Sequence, residues 1–192
     1  ARGLFITRFM TGVYIVNGAK SNTIGGPDTG NRNVISGNGE NGVNVHGSGT
    51  DSNTVSGNYI GTDVTGTADL GNSGSGISIC CEAHWNTIER NIVSANDDLG
   101  IVLNSNNNLL KGNYIGTNAS GTAALGNLVQ GVVIAGDSKF NLIGGTTVAE
   151  RNIISGNQHT GLVIAEGSNN TVSGNYIGRS EEHTSELQSH SE

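Results

Sequence analysis

Three ionisable side chains recur at one position of a repeated motif and could carry out acid–base chemistry. Asp51, His84 and Lys139 each stand two residues before an asparagine that opens a short apolar segment. The equivalent residues of the other copies are Lys20, Asn106 and Ser168. A carboxylate, an imidazole and an ammonium group along one face could exchange protons with a substrate such as a uronic acid. A solvated turn explains the same residues without catalysis, and the sequence favours that interpretation.

Two aromatic residues lie directly beside this column. Trp85 follows His84, and Phe140 follows Lys139. Large rings on an outward face could stack against sugar rings and bind a glycan. The alternative is that both rings are half-buried and only seal the core.

A row of arginines precedes a second set of asparagines. Arg32, Arg90 and Arg151 occupy this position in alternate copies, where the intervening copies have Gly57, Gly112 and Gly174. The row could bind an anionic ligand, with guanidinium groups about 10 Å apart. Packing of each long side chain over a neighbouring glycine is the favoured interpretation.

Acidic residues in one loop raise the question of calcium. Asp63 and Asp69 share a loop, but the matching loop of a later copy has Asn118 and Ala124 instead. Ca²⁺ needs several oxygen ligands at one point. We therefore predict no metal or other cofactor, with Ca²⁺ as the weaker alternative.

The cysteines and the remaining histidines indicate no further site. Cys80 and Cys81 are adjacent, so they provide no disulfide framework. With His46 and His159 they match no metal-ligand spacing that we recognise. Cys80 is expected to point outward at the end of a strand, and Cys81 to begin a turn.

The elements that position these residues belong to a regular repeat. A glycine followed by alternating apolar residues is found six times, at Gly12, Gly42, Gly76, Gly100, Gly131 and Gly161. Each is followed by two segments of the form Asn-x-apolar. The apolar runs are short and β-branched, which is typical of strands that stack at about 4.8 Å. The sequence predicts an all-β parallel β-helix of about six coils with three short strands each, over residues 12–178.

Asparagines should line the corners of this solenoid, because asparagine tolerates left-handed backbone and its side-chain amide can hydrogen-bond to the asparagine of the next coil. The first predicted column is Asn22, Asn53, Asn86, Asn108, Asn141 and Asn170. The second is Asn33, Asn58, Asn91, Asn113, Asn152 and Asn175. The third is Asn38, Asp63, Asn96, Asn118 and Asn157.

An apolar stripe follows the outward face of the first strand in coils four to six. Val102, Val133 and Val163 form it by alternation. Such a stripe is either a surface that contacts a protein or a glycan, or the ordinary preference of strands for β-branched residues.

Composition excludes two classes of partner. The net charge of −7 argues against nucleic acid, and no apolar run approaches the roughly 20 residues that cross a bilayer. The chain does not begin with a signal peptide, so we expect a fragment of a longer array, with residues 1–11 at its N-terminal edge.

The phrases Gly-Asn-Tyr-Ile-Gly-Thr at 57–62 and Arg-Asn-Ile-Ile-Ser-Gly-Asn at 151–157 resemble bacterial right-handed parallel β-helix repeat proteins, whose architecture is pectate-lyase-like. The resemblance implies a right-handed solenoid that is extracellular or at the cell surface. It favours a structural, adhesive or glycan-binding role without catalysis. The alternative is a polysaccharide-active enzyme, namely a uronic-acid lyase, an epimerase or a glycoside hydrolase.

The last residues depart from the repeat. Arg179 to His190 resembles a translated sequencing adapter, so residues 179–192 are expected to be a non-native, disordered tail.

Overall fold

The structure is a computed structural model that describes residues 4–178. The predicted tail at 179–192 therefore lies outside the described residues. Within 4–178 the chain forms short strands and two single-turn 3₁₀ helices, Thr29–Asn31 and Val148–Glu150. No helix in this part of the chain has the length and apolar character needed to span a membrane.

The strands are two to four residues long, as the short apolar runs of the sequence predict. In chain order they are β1 Phe5–Ile6, β2 Val13–Val16, β3 Thr23–Gly25, β4 Val34–Ile35, β5 Val43–His46, β6 Thr54–Ser56, β7 Tyr59–Ile60, β8 Ile77–Cys80, β9 Thr87–Glu89, β10 Ile92–Val93, β11 Ile101–Asn104, β12 Leu109–Lys111, β13 Tyr114–Ile115, β14 Val132–Ile134, β15 Leu142–Gly144, β16 Ile153–Ser155, β17 Leu162–Ile164, β18 Thr171–Ser173 and β19 Tyr176–Gly178.

Three parallel sheets result, because each strand pairs with its counterpart one coil away. The first sheet runs β2-β5-β8-β11-β14-β17, and each of its strands follows one of the six predicted glycines. The second sheet runs β3-β6-β9-β12-β15-β18. The third contains β1-β4-β7-β10-β13-β16-β19, so Phe5–Ile6 of the N-terminal edge already joins the stack. The predicted architecture of six three-stranded coils is confirmed.

The core is a set of columns that run along the solenoid axis. The predicted inward column of the second sheet is in register from Ile24 through Val55, Ile88, Leu110 and Ile143 to Val172. Its four middle members are buried, whereas Val172 is 37% exposed because no described coil stacks on its outer side. Burial of each such side chain contributes roughly 1.5–3 kcal/mol.

The first strand of each coil begins after a glycine because two coils approach closely there. At Gly42 a Cβ atom would lie 2.7 Å from Cγ2 of Ile60 and 2.8 Å from the carbonyl oxygen of Gly76. Neither neighbour can move without disturbing the stack, so the position excludes a side chain.

Asparagine ladders join the coils at the corners. In the first and second predicted columns, the Oδ1 atom of each asparagine after the first accepts the backbone N–H of the equivalent residue one coil earlier. Most also accept the side-chain Nδ2 of that residue, as Asn58 does from Asn33 at 2.9 Å. The ladders therefore provide hydrogen-bond acceptors for buried backbone N–H groups at the corners, which the apolar side chains of the core columns cannot do.

The predicted third column was wrong at two positions. The observed ladder passes from Asn38 to Asn72, Asn96, Asn127 and Asn157. Asp63 and Asn118 instead begin inserted loops, which antiparallel bridges close between Thr62 and Asp69 and between Thr117 and Ala124. The insertion delays the corner, so the asparagine that follows the loop enters the ladder.

Candidate functional site

Five of the predicted site residues lie on one edge of the solenoid. This edge, called here the first corner, joins the first sheet to the second and consists of residues 17–22, 47–53, 81–86, 105–108, 135–141 and 165–170. The candidate residues on it are Asp51, His84, Trp85, Lys139 and Phe140.

The ionisable column forms a ladder through backbone groups. Oδ1 of Asp51 accepts the N–H of His84 at 2.8 Å, and Nδ1 of His84 accepts the N–H of Asn106 at 3.1 Å. Oδ1 of Asn106 in turn accepts the N–H of Lys139 at 2.7 Å. Because Nδ1 of His84 is an acceptor, the proton of the neutral ring is on Nε2.

The three predicted catalytic side chains do not converge on one point. Asp51 contacts the main chain of His84 and not its imidazole, and the ammonium group of Lys139 pairs with Asp137 at 2.7 Å. The geometry is that of a turn held by hydrogen bonds between neighbouring coils.

A shallow cleft of about 260 Å³ opens on the first corner. Its lining residues include His84, the acidic residues Glu82 and Asp137, and the polar residues Asn104 and Asn106. Sequence reasoning missed Glu82 and Asp137. A cleft lined by carboxylates and amides offers acceptors and donors suited to hydroxyl groups.

The two aromatic rings project from the corner into solvent. Trp85 is 57% exposed and Phe140 is 59% exposed. Both have left-handed backbone, with φ of 53° and 59°. The same position is occupied in the other coils by Ser21, Ser52, Asn107 and Asn169, all also left-handed. Asparagine tolerates such a corner, whereas bulky aromatic residues are strained there.

A group of soft ligands was also missed. Atoms of His46, Cys80 and Cys81 that could bind a metal all lie within 4.8 Å of one another, and the two sulfur atoms are 2.9 Å apart. Cys80 ends β8 and Cys81 opens the corner, as expected. Burial is the main cause that raises the pKa of the Cys80 thiol to about 12, with the adjacent Cys81 adding to it.

Two arginines of the row contact neighbouring residues of the solenoid itself. The guanidinium group of Arg32 lies 4.0 Å from the ring centre of Tyr59, and that of Arg151 lies 4.1 Å from the ring centre of Tyr176. Their Nε atoms donate to carbonyl oxygens of the next coil. These contacts support packing for both residues. Arg90 has left-handed backbone and donates its N–H to Lys111.

The valine stripe forms a continuous column on the first sheet. Val102, Val133 and Val163 pair in register, and each is half-buried. The strands around them shield part of every side chain.

In the acidic loop, the carboxylate of Asp63 accepts hydrogen bonds from the loop's own residues. Asp63 accepts N–H groups of Thr67 and Ala68 and the hydroxyl of Thr65. Asn118 accepts the equivalent N–H groups of Thr122 and Ala123 in the matching loop. The shared arrangement serves loop geometry whether or not the residue is charged.

Comparison with known proteins agrees with this architecture. The family model of the right handed beta helix region matches residues 6–180. The chain belongs to this family. Right-handed β-helix proteins share a scaffold, and function depends on the side chains that each one displays. No curated protein matches the sequence significantly.

One solved structure with this scaffold is a mutant of the periplasmic alginate epimerase AlgG. The superposition has a TM-score of 0.55 with 22% sequence identity, and it covers 74% of this chain. The match spans only 28% of the epimerase chain. At this identity the likeness describes the fold alone.

Proposed function

We propose that this right-handed β-helix protein binds a glycan, without catalysis, through the first corner. The observation that carries the proposal is the pair of exposed, left-handed aromatic residues Trp85 and Phe140. The scaffold imposes left-handed backbone at this position in every coil, and at a bulky residue such backbone costs of order 1–3 kcal/mol, a kind of strain that clusters at functional sites. Coils three and five each bear this cost while the other coils use serine or asparagine.

The spacing of the two rings suits an extended ligand. Trp85 and Phe140 belong to coils separated by one other coil, so their positions are about 10 Å apart along the axis. The cleft with Glu82, His84 and Asp137 lies on the same edge. A glycan chain aligned with the axis would stack on the rings and place hydroxyl groups against the cleft.

The charge of the corner favours a neutral glycan over a polyanionic one. Its carboxylates are Asp51, Glu82, Asp137 and Glu166, and its ammonium groups are those of Lys20 and Lys139. Ionised carboxylates accept hydrogen bonds from sugar hydroxyls but repel the carboxylates of a uronic-acid chain. A protein of this kind would act outside the cytoplasm, as adhesive or structural surface, and the periplasmic location of the epimerase is consistent with that.

A glycan array followed by calorimetric titration tests the proposal. Trp85→Asn and Phe140→Asn imitate Asn107 and Asn169 in neighbouring coils, so they remove the ring and keep the corner. Each should weaken binding of a neutral glycan at least tenfold. Phe9→Asn is the matched control, since Phe9 is 60% exposed but lies outside the first corner. Equal binding by all three variants would contradict the proposal.

The valine stripe is the rival surface for the same ligand or for a protein. Val133→Lys places a charge in the middle of the stripe. If the first corner binds the glycan, this variant keeps its affinity. Loss of glycan binding in Val133→Lys, with binding retained in the two asparagine variants, would assign the ligand to the stripe.

A second candidate function is that of a polysaccharide-active enzyme for uronic acids. It is favoured by the cleft, whose lining residues include His84 together with the acidic residues Glu82 and Asp137. The solved structure that shares the scaffold is an alginate epimerase, which makes alginate the substrate to assay. Incubation with alginate, followed by NMR for epimerisation and absorbance for unsaturated ends, tests it. His84→Asn is the informative variant because asparagine at Asn106 already maintains the ladder. A wild-type protein without turnover excludes this function for the substrate assayed.

A further inference from the structure

The strongest unassigned feature is the group formed by His46, Cys80 and Cys81. His46 ends β5 and Cys80 ends β8, and the two residues are directly paired in the first sheet. Cys81 is the next residue of the chain. Two separate coils therefore contribute to one cluster, and sheet register fixes the distance between them.

Backbone geometry at the corner turns the second thiol toward the first. Cys81 and Glu82 are consecutive left-handed residues, with φ of 62° and 67°. The equivalent turn of the first coil uses Asn17 and Gly18, which adopt such angles readily. Coil three reaches the same turn with two residues that tolerate it poorly. The turn leaves the sulfur atoms 2.9 Å apart.

The three donors are those that a zinc-class cation prefers. Thiolate and imidazole ligands suit Zn²⁺ and its relatives, whereas Ca²⁺ and Mg²⁺ require oxygen. Zinc holds sulfur at about 2.3 Å and nitrogen at about 2.0–2.1 Å in a tetrahedron, which sets donors roughly 3.5–3.8 Å apart. The two sulfur atoms are 2.9 Å apart, and all three donor atoms lie within 4.8 Å of one another. Cys81 is exposed, so its side chain can rotate to open the sulfur pair.

We propose that His46, Cys80 and Cys81 form a three-ligand binding site for a thiolate-preferring divalent cation, with Zn²⁺ as the type. The ion would replace the two thiol protons, which pass to solvent, and no electron transfer is involved. Three protein ligands leave the fourth tetrahedral position for water or another small ligand. Because Cys81 also lines the cleft, the ion would lie at its edge.

Optical titration of the whole chain with Co²⁺ tests the site. The protein is first reduced with a phosphine and transferred to metal-free buffer. Binding should give thiolate-to-cobalt charge-transfer absorption that saturates at one equivalent and disappears when Zn²⁺ is added. Absence of this absorption in the reduced protein would overturn the proposal.

Variants identify the ligands. Cys80→Ser, Cys81→Ser and His46→Asn should each weaken Co²⁺ binding at least tenfold, and the double serine variant should abolish the charge-transfer band. His46→Asn is structurally mild, since Asn104 occupies the same column two coils later. His159→Asn serves as the control because His159 is exposed and outside the cluster. Binding that survives in the double serine variant, or falls equally in the control, overturns the assignment.

The competing fate of the two thiols is a bond between them. Mass spectrometry after alkylation distinguishes the outcomes. With Zn²⁺ present and reductant removed, the proposal expects two intact thiols that are protected from alkylation and become reactive when the metal is chelated. A chain lighter by two hydrogens under these conditions contains a Cys80–Cys81 disulfide, and that result would contradict the metal site.

Discussion

The carboxylate of Asp51 accepts the backbone N–H of His84 at 2.8 Å, across the gap between two coils. The same relationship recurs from His84 to Asn106 and from Asn106 to Lys139. Side chains of three chemical types thus perform one structural task along the first corner. A carboxylate engaged in this way is already positioned by the scaffold, so its presence beside an imidazole does not imply catalysis.

Asp51 should consequently tolerate loss of charge but not loss of its acceptor. Asp51→Asn retains an Oδ1 atom, as Asn106 does, and should change the free energy of unfolding by less than about 0.5 kcal/mol. Asp51→Ala leaves the N–H of His84 without its partner and should cost about 1–3 kcal/mol. Urea unfolding of both variants measures the difference. Similar losses in both would mean that the charge, and not the hydrogen bond, matters.

The buried column of the second sheet gives a prediction with an internal control. Ile88 is fully buried between Val55 and Leu110, so Ile88→Ala should cost about 2–5 kcal/mol. Val172→Ala alters the same column at its 37% exposed end and should cost much less. Both are measured by urea unfolding. A loss below about 1 kcal/mol for Ile88→Ala would show that its site collapses around the cavity.

Local periodicity was sufficient to predict the coils but not where every corner begins. Gly42 and its equivalents mark the strand starts because a side chain there would collide with the adjacent coil. Asp63 follows its strand as closely as Asn38 does, so spacing along the sequence predicts a ladder position for both residues. In the structure the bridge between Thr62 and Asp69 closes the inserted loop, and Asn72, which follows the loop, occupies the ladder position instead of Asp63.

In the candidate sites, likewise, the sequence predicts strand register but not the local backbone conformation. His46 and Cys80 each stand four residues after a repeat glycine, so the sequence contained the information that pairs them. The left-handed turn at Cys81 was not predictable, because cysteine does not signal such a conformation. Likewise, the spacing of Lys139 gave no indication that its ammonium group would pair with Asp137.

The strained backbone of the aromatic residues on the first corner predicts that replacing them raises stability while it weakens glycan binding. Phe140→Asn replaces a left-handed phenylalanine with a residue that tolerates this conformation, as Asn107 and Asn169 do. It should stabilise the protein by about 1 kcal/mol while it weakens glycan binding. Thermal unfolding measures the gain. Trp85→Asn should gain less stability, because the Trp85 ring packs edge-to-face on the His84 imidazole, with the ring centres 5.4 Å apart. Destabilisation by Phe140→Asn would show that the ring packs usefully on the corner.

The Asp63 loop gives a prediction for acid stability. Slight burial alone would raise the pKa of Asp63, but hydrogen bonds from the Thr65 hydroxyl and from backbone N–H groups of the loop outweigh it and lower the pKa from 3.8 to about 2. A carboxyl whose pKa is depressed on folding contributes stability above its unfolded value and loses that contribution as the pH falls through the folded value. The loop should therefore lose stability between pH 3.8 and about pH 2.

Asp63→Asn isolates this effect, because Asn118 shows that an amide supports the same loop. At pH 7 the variant should be slightly less stable than the wild type, since backbone N–H groups bond more strongly to a carboxylate. Between pH 4 and pH 2 its free energy of unfolding should fall less steeply. Urea unfolding across this range, with Asp69→Asn as a control in the same loop, measures the slopes. Parallel slopes for the wild type and Asp63→Asn would mean that the depressed pKa of Asp63 does not contribute to acid stability.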